Sequence, residues 1–254
     1  MAFYGVIPAR YASTRFPGKP LALIHGKPMI QWVYERSCAA DLTRVVVATD
    51  DQRIMDAVRH FGGEAVMTSP HHQSGTERCA EVADTLRLNP DDVVVNIQGD
   101  EPYIRSEAIN LLTRQFKDSS VQIATLAKEF LPEENPENPN MVKVTFSDTG
   151  KALTFSRSPI PYYRNTEVTR VYYKHIGIYA YRYGTLREIV GLPLSMLENA
   201  EKLEQLRWLE NDYPIHVVPC DYESVAIDTP EDLVRAEQIT VFKTPYLRYL
   251  ANHQ

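Results

Sequence analysis

The strongest constraint on this chain is a repeat of short apolar runs, largely β-branched, each followed by a stretch with helical period. Residues 3–7, 44–48, 64–67 and 92–97 read as strands. Between them, 28–34, 50/51–61 and 76–86 read as helices, with Pro28 suited to a first helical turn and Asp50 or Asp51 to a cap. A strand with one wet face alternates apolar and polar residues. These runs do not alternate, so both of their faces must be covered. Strand–helix repetition of this kind predicts an open α/β sheet, mostly parallel and flanked by helices, of the type that binds nucleotides. The middle of the chain departs from the pattern. Residues 122–181 hold several strand-like runs with a Pro/Asn/Glu loop at 133–139, and read as a β-rich insertion or dimerisation layer. A long helix is expected over 195–210, a strand over 215–219 and a helix opening at Pro230.

Charge and cysteine content remove several function classes. With 33 acidic and 27 basic residues the net charge is −6, the wrong sign for a protein whose affinity rests on neutralising a phosphate backbone. No apolar run approaches the roughly 20 residues of a membrane span. The apolar opening at 3–7 is too short for a signal-peptide core and has no basic flank. Cys38, Cys79 and Cys220 are odd in number and never in C-x-x-C spacing, which reads as reduced thiols of a cytoplasmic protein.

Four segments carry candidate chemistry. Residues 8–20 form a loop after the first strand with Arg10, Arg15 and Lys19 among small residues, a composition that suits a triphosphate. Such a loop lies at the carboxyl end of a strand, where open α/β sheets bind ligands. The fourth strand ends in Gln98-Gly99-Asp100-Glu101-Pro102, which puts one carboxylate at the same edge; the same residues also make a good turn. In Asp228-Thr229-Pro230-Glu231-Asp232, Thr229 is the better helix cap, which leaves Asp228 available as a second acid for a Mg²⁺ site. Ser74-Gly75-Thr76-Glu77-Arg78 introduces a helix whose N-terminus would attract an anion or a carbonyl oxygen; the plainer reading has Ser74 or Thr76 as its cap and Arg78 paired with a nearby acid. His71 and His72 have no second ligand cluster and read as surface residues. Strand alternation over 172–181 puts Tyr173, His175, Gly177, Tyr179 and Tyr181 on one face. Ile176, Ile178 and Ala180 fall on the other. The first face reads as a polar aromatic wall for a hydroxylated ligand or as a Tyr-rich dimer surface, with His175 and Tyr179 ~13 Å apart at ~3.3 Å per residue. The many charges of 197–208 read as a solvated helix face.

Taken in order, these segments resemble the 3-deoxy-manno-octulosonate (Kdo) cytidylyltransferases. The match rests on residues 8–20, 74–78, 96–102, Phe155-Ser156-Arg157, 174–179, Leu203-Glu204-Gln205-Leu206-Arg207 and 228–232. It extends over residues 1 to about 240, read as one nucleotidyltransferase domain whose β-rich region is about 120–181. The tail at 241–254 matches no motif. The resemblance implies a Rossmann-like nucleotidyltransferase fold and a homodimer built through the central β region. It also implies Mg²⁺ as cofactor and CTP and Kdo as substrates of an enzyme that makes CMP-Kdo for lipopolysaccharide. Carried over residue by residue, it assigns Ala9, Arg10, Arg15, Lys19, Ser74, Gly75, Arg78 and Gln98 to the nucleotide. Gln98, Arg157, His175, Tyr179, Glu204 and Gln205 fall to the sugar acid, and Asp100 and Asp228 to the metal. Lys19, Asp100 and Asp228 are the implied catalytic set. Two other readings stay open at this level: the same transfer to 8-amino-Kdo or a sialic acid, and a non-catalytic sugar-nucleotide-binding protein.

Overall fold

The computed structural model describes residues 1–12 and 15–238. Ser13 and Thr14 of the basic loop, and the tail at 241–254, lie outside the described residues.

The parallel core forms as the apolar runs require. Strand β1 (Phe3–Ala9) pairs in parallel with β4 (Arg44–Thr49) on one side and β6 (Val93–Asn96) on the other. Strand β5 (Ala65–Met67) extends the sheet in parallel beyond β4. Two short strands, β2 (Leu23–Ile24) and β3 (Lys27–Pro28), form a separate hairpin ahead of helix α1 (Met29–Cys38). Pro28 therefore ends that hairpin and caps α1, one residue outside the helix. Asp51 caps α2 (Gln52–His60) by accepting from the Arg53 amide.

The central β-rich residues join the same sheet. Its order is β11-β7-β10-β6-β1-β4-β5, where β7 is Ile123–Glu129, β10 is Tyr173–Arg182 and β11 is Ile215–Pro219. Strand β10 runs antiparallel to both β6 and β7, whereas β11 is parallel to β7. Strands β8 (Lys143–Phe146) and β9 (Ala152–Ser156) form an antiparallel ladder that reaches the sheet through β10.

Both faces of the sheet are buried. On one, Ile7, Val47, Val95 and Ile97 pack under Ile30 and Val33 of α1, Ile54 and Val58 of α2, and Ile109 and Leu112 of α4 (Ser106–Thr113). On the other, Val6, Val46 and Val94 pack under Cys79 and Val82 of α3 (Gly75–Thr85), with Leu186 and Ile189 of α5 (Tyr183–Val190). Cys79 is thus a fully buried core thiol whose pKa burial pushes up, as suits an inert side chain. Among the described residues, no helix is long and apolar enough to cross a membrane.

Two expectations require correction. The helix over 195–210 is broken into α6 (Met196–Glu201) and α7 (Glu204–Glu210) by Lys202, whose φ of 54° and ψ of 48° are left-handed. The break places Leu203 in the second core beside Leu206 and Trp208, a burial that one continuous solvated helix would not provide. Its charges are not all solvated either: Arg207 pairs with Glu198 at 3.2 Å and with Glu204 at 3.0 Å, all three side chains largely covered.

The face assignment of β10 holds, since Ile176, Ile178 and Ala180 enter one core and Tyr173, Tyr179 and Tyr181 the other. The aromatic face is no open wall, however. Tyr179 and Tyr181 stack at 5.8 Å and meet Trp208 edge-on at 5.1 and 5.6 Å. Nor are His175 and Tyr179 far apart, because their ring centroids lie 5.2 Å from each other. Consecutive β7 residues Leu126 and Thr125 face Ile176 and Tyr179, so Gly177 and Ile178 bulge out of the ladder and shorten the strand between the two rings.

Close backbone approach positions the carboxyl edge. A Cβ built on Gly99 would lie 2.6 Å from the Pro8 carbonyl oxygen, whereas one on Gly177 meets nothing within 4 Å. Gly99→Ala is accordingly expected to lower stability in urea titration by about 1–3 kcal/mol, the usual cost of overpacking. Gly177→Ala should leave the midpoint near wild type.

Candidate active site

The site assembles where β1, β4 and β6 end. Ala9 is buried at the end of β1, and the chain then leaves the sheet at Arg10. The basic loop closes on itself through the Gly18 amide, which donates to the Tyr11 carbonyl at 2.9 Å. Gly18 has φ 73°, with the Tyr11 ring packed where a side chain would stand, so a residue with a Cβ would be strained there. This closure returns Arg15 and Lys19 to the sheet edge.

Lys19 Nζ lies 2.7 Å from Asp100 Oδ2 and 3.2 Å from Asp228 Oδ1, and an Arg15 guanidinium nitrogen lies 3.0 Å from the same Asp228 oxygen. Acids from distant parts of the sequence thus meet on one ammonium. Asp228 reaches this point because the helix start does not need it. Thr229 and Asp232 form a reciprocal capping box at the head of α8 (Pro230–Glu237), while the Ile227 amide donates to the Asp100 carbonyl at 2.9 Å. A buried Ile227 locks that contact.

The donor set suits Mg²⁺. Two hard carboxylates converge on a position that already holds a positive charge, and a small hard cation there would complete its shell with water and phosphate oxygens. Among the described residues no group of three or more His, Cys, Asp or Glu is placed to hold an ion unaided. Asp100 and Asp228 could therefore supply part of a metal's shell and not the whole of it.

Arg10 does not join this cluster. It donates to the His72 carbonyl in the loop before α3, and burial together with the nearby Arg78 lowers its pKa. His72 in turn is held by Glu81 and Glu77 of α3, so it is part of a structured turn and not a free surface residue. Ser74 caps α3 by accepting from the Glu77 amide, and Gly75 packs against Pro8, where a Cβ would lie 3.3 Å from the proline ring. Arg78 is fully buried beneath that turn, donating to Thr68 Oγ1 at 2.6 Å and pairing with Asp50. Asp50 is free to do so because Asp51 is the cap. Gln98 reaches across the edge and donates to the carbonyl of the bulged Gly177 at 3.0 Å.

The residues assigned to the sugar acid lie on the α7 side. Glu204 Oε2 accepts from Thr76 Oγ1 at 2.7 Å, which joins the start of α7 to the start of α3; burial raises its pKa. Gln205 is buried beside it. His175 is half-buried, with its Nε2 3.0 Å from Thr125 Oγ1 and its ring edge-on to Phe155, and burial pushes its pKa down to about 3. Tyr179 is buried, which pushes its pKa up. Arg157 is tied to backbone, donating from Nε to the Glu201 carbonyl at 2.7 Å and from a terminal nitrogen to the Pro139 carbonyl at 2.8 Å. It anchors the end of β9 to the α6–α7 break.

Three contributors carry little signal in the sequence. Thr76 and Asp50 act through partners far along the chain. Asn96, 4% exposed at the end of β6, has an amide oxygen with no hydrogen-bond partner among the described residues, and only its interruption of a valine run marks it out.

With the geometry in place, comparison with known proteins is direct. The family model for cytidylyltransferases matches residues 4–216. A 3-deoxy-manno-octulosonate cytidylyltransferase from Phocaeicola vulgatus is 55% identical over 93% of this chain and 96% of its own length. One from Thermodesulfovibrio yellowstonii is 51% identical over 92% and 96%. A solved CMP:2-keto-3-deoxy-manno-octonic acid synthetase complexed with CTP superimposes with a TM-score of 0.88 at 41% identity, over the whole of both chains. A cytidylyltransferase from Leptospira borgpetersenii shares the fold at TM-score 0.64 and 16% identity, covering 99% of this chain and 93% of its own. Matched along nearly its whole length in sequence and structure, the chain belongs to the cytidylyltransferase family.

Proposed function

We infer that this chain transfers CMP from CTP to the anomeric hydroxyl of Kdo and releases pyrophosphate. The observation that carries the reading is the meeting of Asp100 and Asp228 with Lys19 and Arg15 at the carboxyl edge of the sheet. Identity of about half the residues to Kdo cytidylyltransferases supports this substrate pair over other sugar acids.

In this reading Arg15 and Lys19 exchange their carboxylate partners for phosphate oxygens. They stabilise the charge that develops on the pyrophosphate leaving group, in a site already organised for it. Asp100 and Asp228 would hold Mg²⁺, which when bound supplies charge neutralisation at the phosphoryl oxygens and lowers the pKa of the attacking hydroxyl. Ala9, Arg10, Ser74, Gly75, Arg78 and Gln98 shape the nucleotide side. Arg157, His175, Tyr179, Glu204 and Gln205 face the sugar acid, where Arg157 must release at least one backbone carbonyl to meet a carboxylate. Neutral His175 offers a hydrogen bond to a hydroxyl rather than a charge. Bringing both substrates together in one orientation accounts for much of the acceleration.

The working form we propose is a cytoplasmic homodimer joined through the central β region, over one domain of residues 1–240. Support comes from a groove of about 600 Å³ lined by Phe146, Ile160, Pro161, Tyr163 and Tyr173 beside Leu153, which is 63% exposed, an apolar surface that a second copy would cover.

Pyrophosphate release measured with CTP, UTP, ATP and GTP against Kdo, 8-amino-Kdo and a sialic acid tests the reading. Turnover is expected with CTP and Kdo in the presence of Mg²⁺, and equal or faster turnover with another pair would displace it. Asp228→Asn keeps the shape and the capping box, so its Tm should stay near wild type while kcat falls on the order of 10²-fold. Normal turnover by this folded variant would show Asp228 to be only a helix-start residue.

His175 gives a pH dependence with a definite sign. Its folded value lies below the ordinary value of 6.5, so at acid pH the unfolded chain takes up a proton that the folded chain refuses. Its neutral form is fully accommodated above about pH 6.5, and stability drains away as pH falls from there toward 3. Thermal melts at pH 7, 6, 5 and 4.5 should show wild type losing Tm more steeply than His175→Asn; parallel curves would refute the assignment.

A further inference from the structure

We propose that Glu101 is the positioning residue that sets Asp228 opposite Asp100. The inference rests on the reading of those two acids as a shared Mg²⁺ site. Residues 220–228 cross the sheet edge without helix or strand, so no ladder of hydrogen bonds fixes their path. They are held instead at a few points. The Cys220 amide donates to the Ala127 carbonyl at 2.8 Å, Glu223 pairs with Lys174 at 2.7 Å, and the Ile227 amide donates to Asp100. Between these lies Glu101, 5% exposed, with one carboxylate oxygen accepting from Tyr222 Oη at 2.9 Å and the other from Ser224 Oγ at 2.6 Å.

A buried carboxylate with no cation is a costly way to fill space. Among the described residues, the Glu101 carboxylate is held by these two hydroxyls. What an acid offers here is geometry. Two acceptor oxygens on one rigid group fasten two points of the strap, two residues apart, to the residue that directly follows Asp100. With both oxygens engaged, Glu101 does not reach Lys19 or the converging acids, so it acts through Asp228. Loss of such a supporting contact ordinarily costs about 10- to 100-fold in metal affinity or activity.

The test reads Mn²⁺ binding by electron paramagnetic resonance in the presence of CTP, alongside kcat, the KM for CTP and hydrogen exchange of 220–228. In Glu101→Ala, Mn²⁺ affinity and kcat should each fall by about 10-fold or more, with KM for CTP moving less than about 3-fold and exchange rising in the strap before the parallel core. Glu101→Gln keeps the size and can still bond both hydroxyls, so it should restore most of the Mn²⁺ affinity. If Glu101→Ala does not fold, a Tyr222→Phe, Ser224→Ala double variant decides, since it removes only the two hydroxyls and should show the same Mn²⁺ defect. Wild-type Mn²⁺ binding in a folded Glu101→Ala, or in the double variant, while Asp228→Asn loses it, overturns the inference alone. Unchanged binding in Asp228→Asn overturns the shared-metal reading and this inference with it.

Discussion

At the carboxyl edge of the sheet the Lys19 ammonium lies between two carboxylates, Asp100 and Asp228, and offsets the repulsion between them. Three backbone features bring its partners to one edge: the first loop folds back at Gly18, Gly99 is small enough to let the chain after β6 pass against Pro8, and a strap without regular structure returns to the same point. Arg15 adds a second contact to Asp228 and shares its load. The cluster is neutralised internally, so in the proposed reading a triphosphate would compete with the acids for the cations while a divalent ion would compete with the cations for the acids. Each ligand would free the partner that the other requires, which would favour their arrival as one unit.

The rest of the site divides by chemistry. On the α3 side, Arg10 and Arg78 are tied to the His72 carbonyl, Asp50 and Thr68. In the proposed reading, a nucleotide would meet a wall fixed in advance and little further freedom would be lost on binding. On the α7 side Tyr179 and Gln205 are buried, His175 is half-buried, and Glu204 accepts a hydrogen bond from the Thr76 hydroxyl while pairing with Arg207. The bulge at Gly177 lets these two regions meet. It shortens β10 so that His175 approaches Tyr179, and it turns a carbonyl toward Gln98. The α6–α7 break does the equivalent on the helical layer by starting a new helix at Glu204.

The parallel core was legible in the sequence because burial on both faces leaves an unambiguous mark: valine and isoleucine runs without alternation, in 44–48 and 92–97. The Thr229 cap was legible for the same local reason, since Pro at the first turn and Asp three residues on specify a helix start with short-range bonds. Residues 195–210 misled because helical period alone does not register the burial of Leu203. The face over 172–181 misled because a bulge depends on the partner strand, and β7 lies some 50 positions upstream.

By itself the sequence determined which residues could carry charge to the sheet edge, since Arg10, Arg15, Lys19, Asp100 and Asp228 each stand beside a strand end or helix start that local chemistry defines. Only the tertiary structure decided how they are shared. It sent Arg15 and Lys19 to the acids and Arg10 to the His72 carbonyl, took Arg78 out of water onto Asp50, and fastened the strap through Glu101 to bring Asp228 home. The physical reason is the range of the interactions involved. Caps, turns and apolar periodicity act within a few residues and leave their signature in order along the chain, whereas an ion pair or a buried carboxylate is satisfied by whatever the packed sheet brings within about 3 Å, however far away it stands in the sequence.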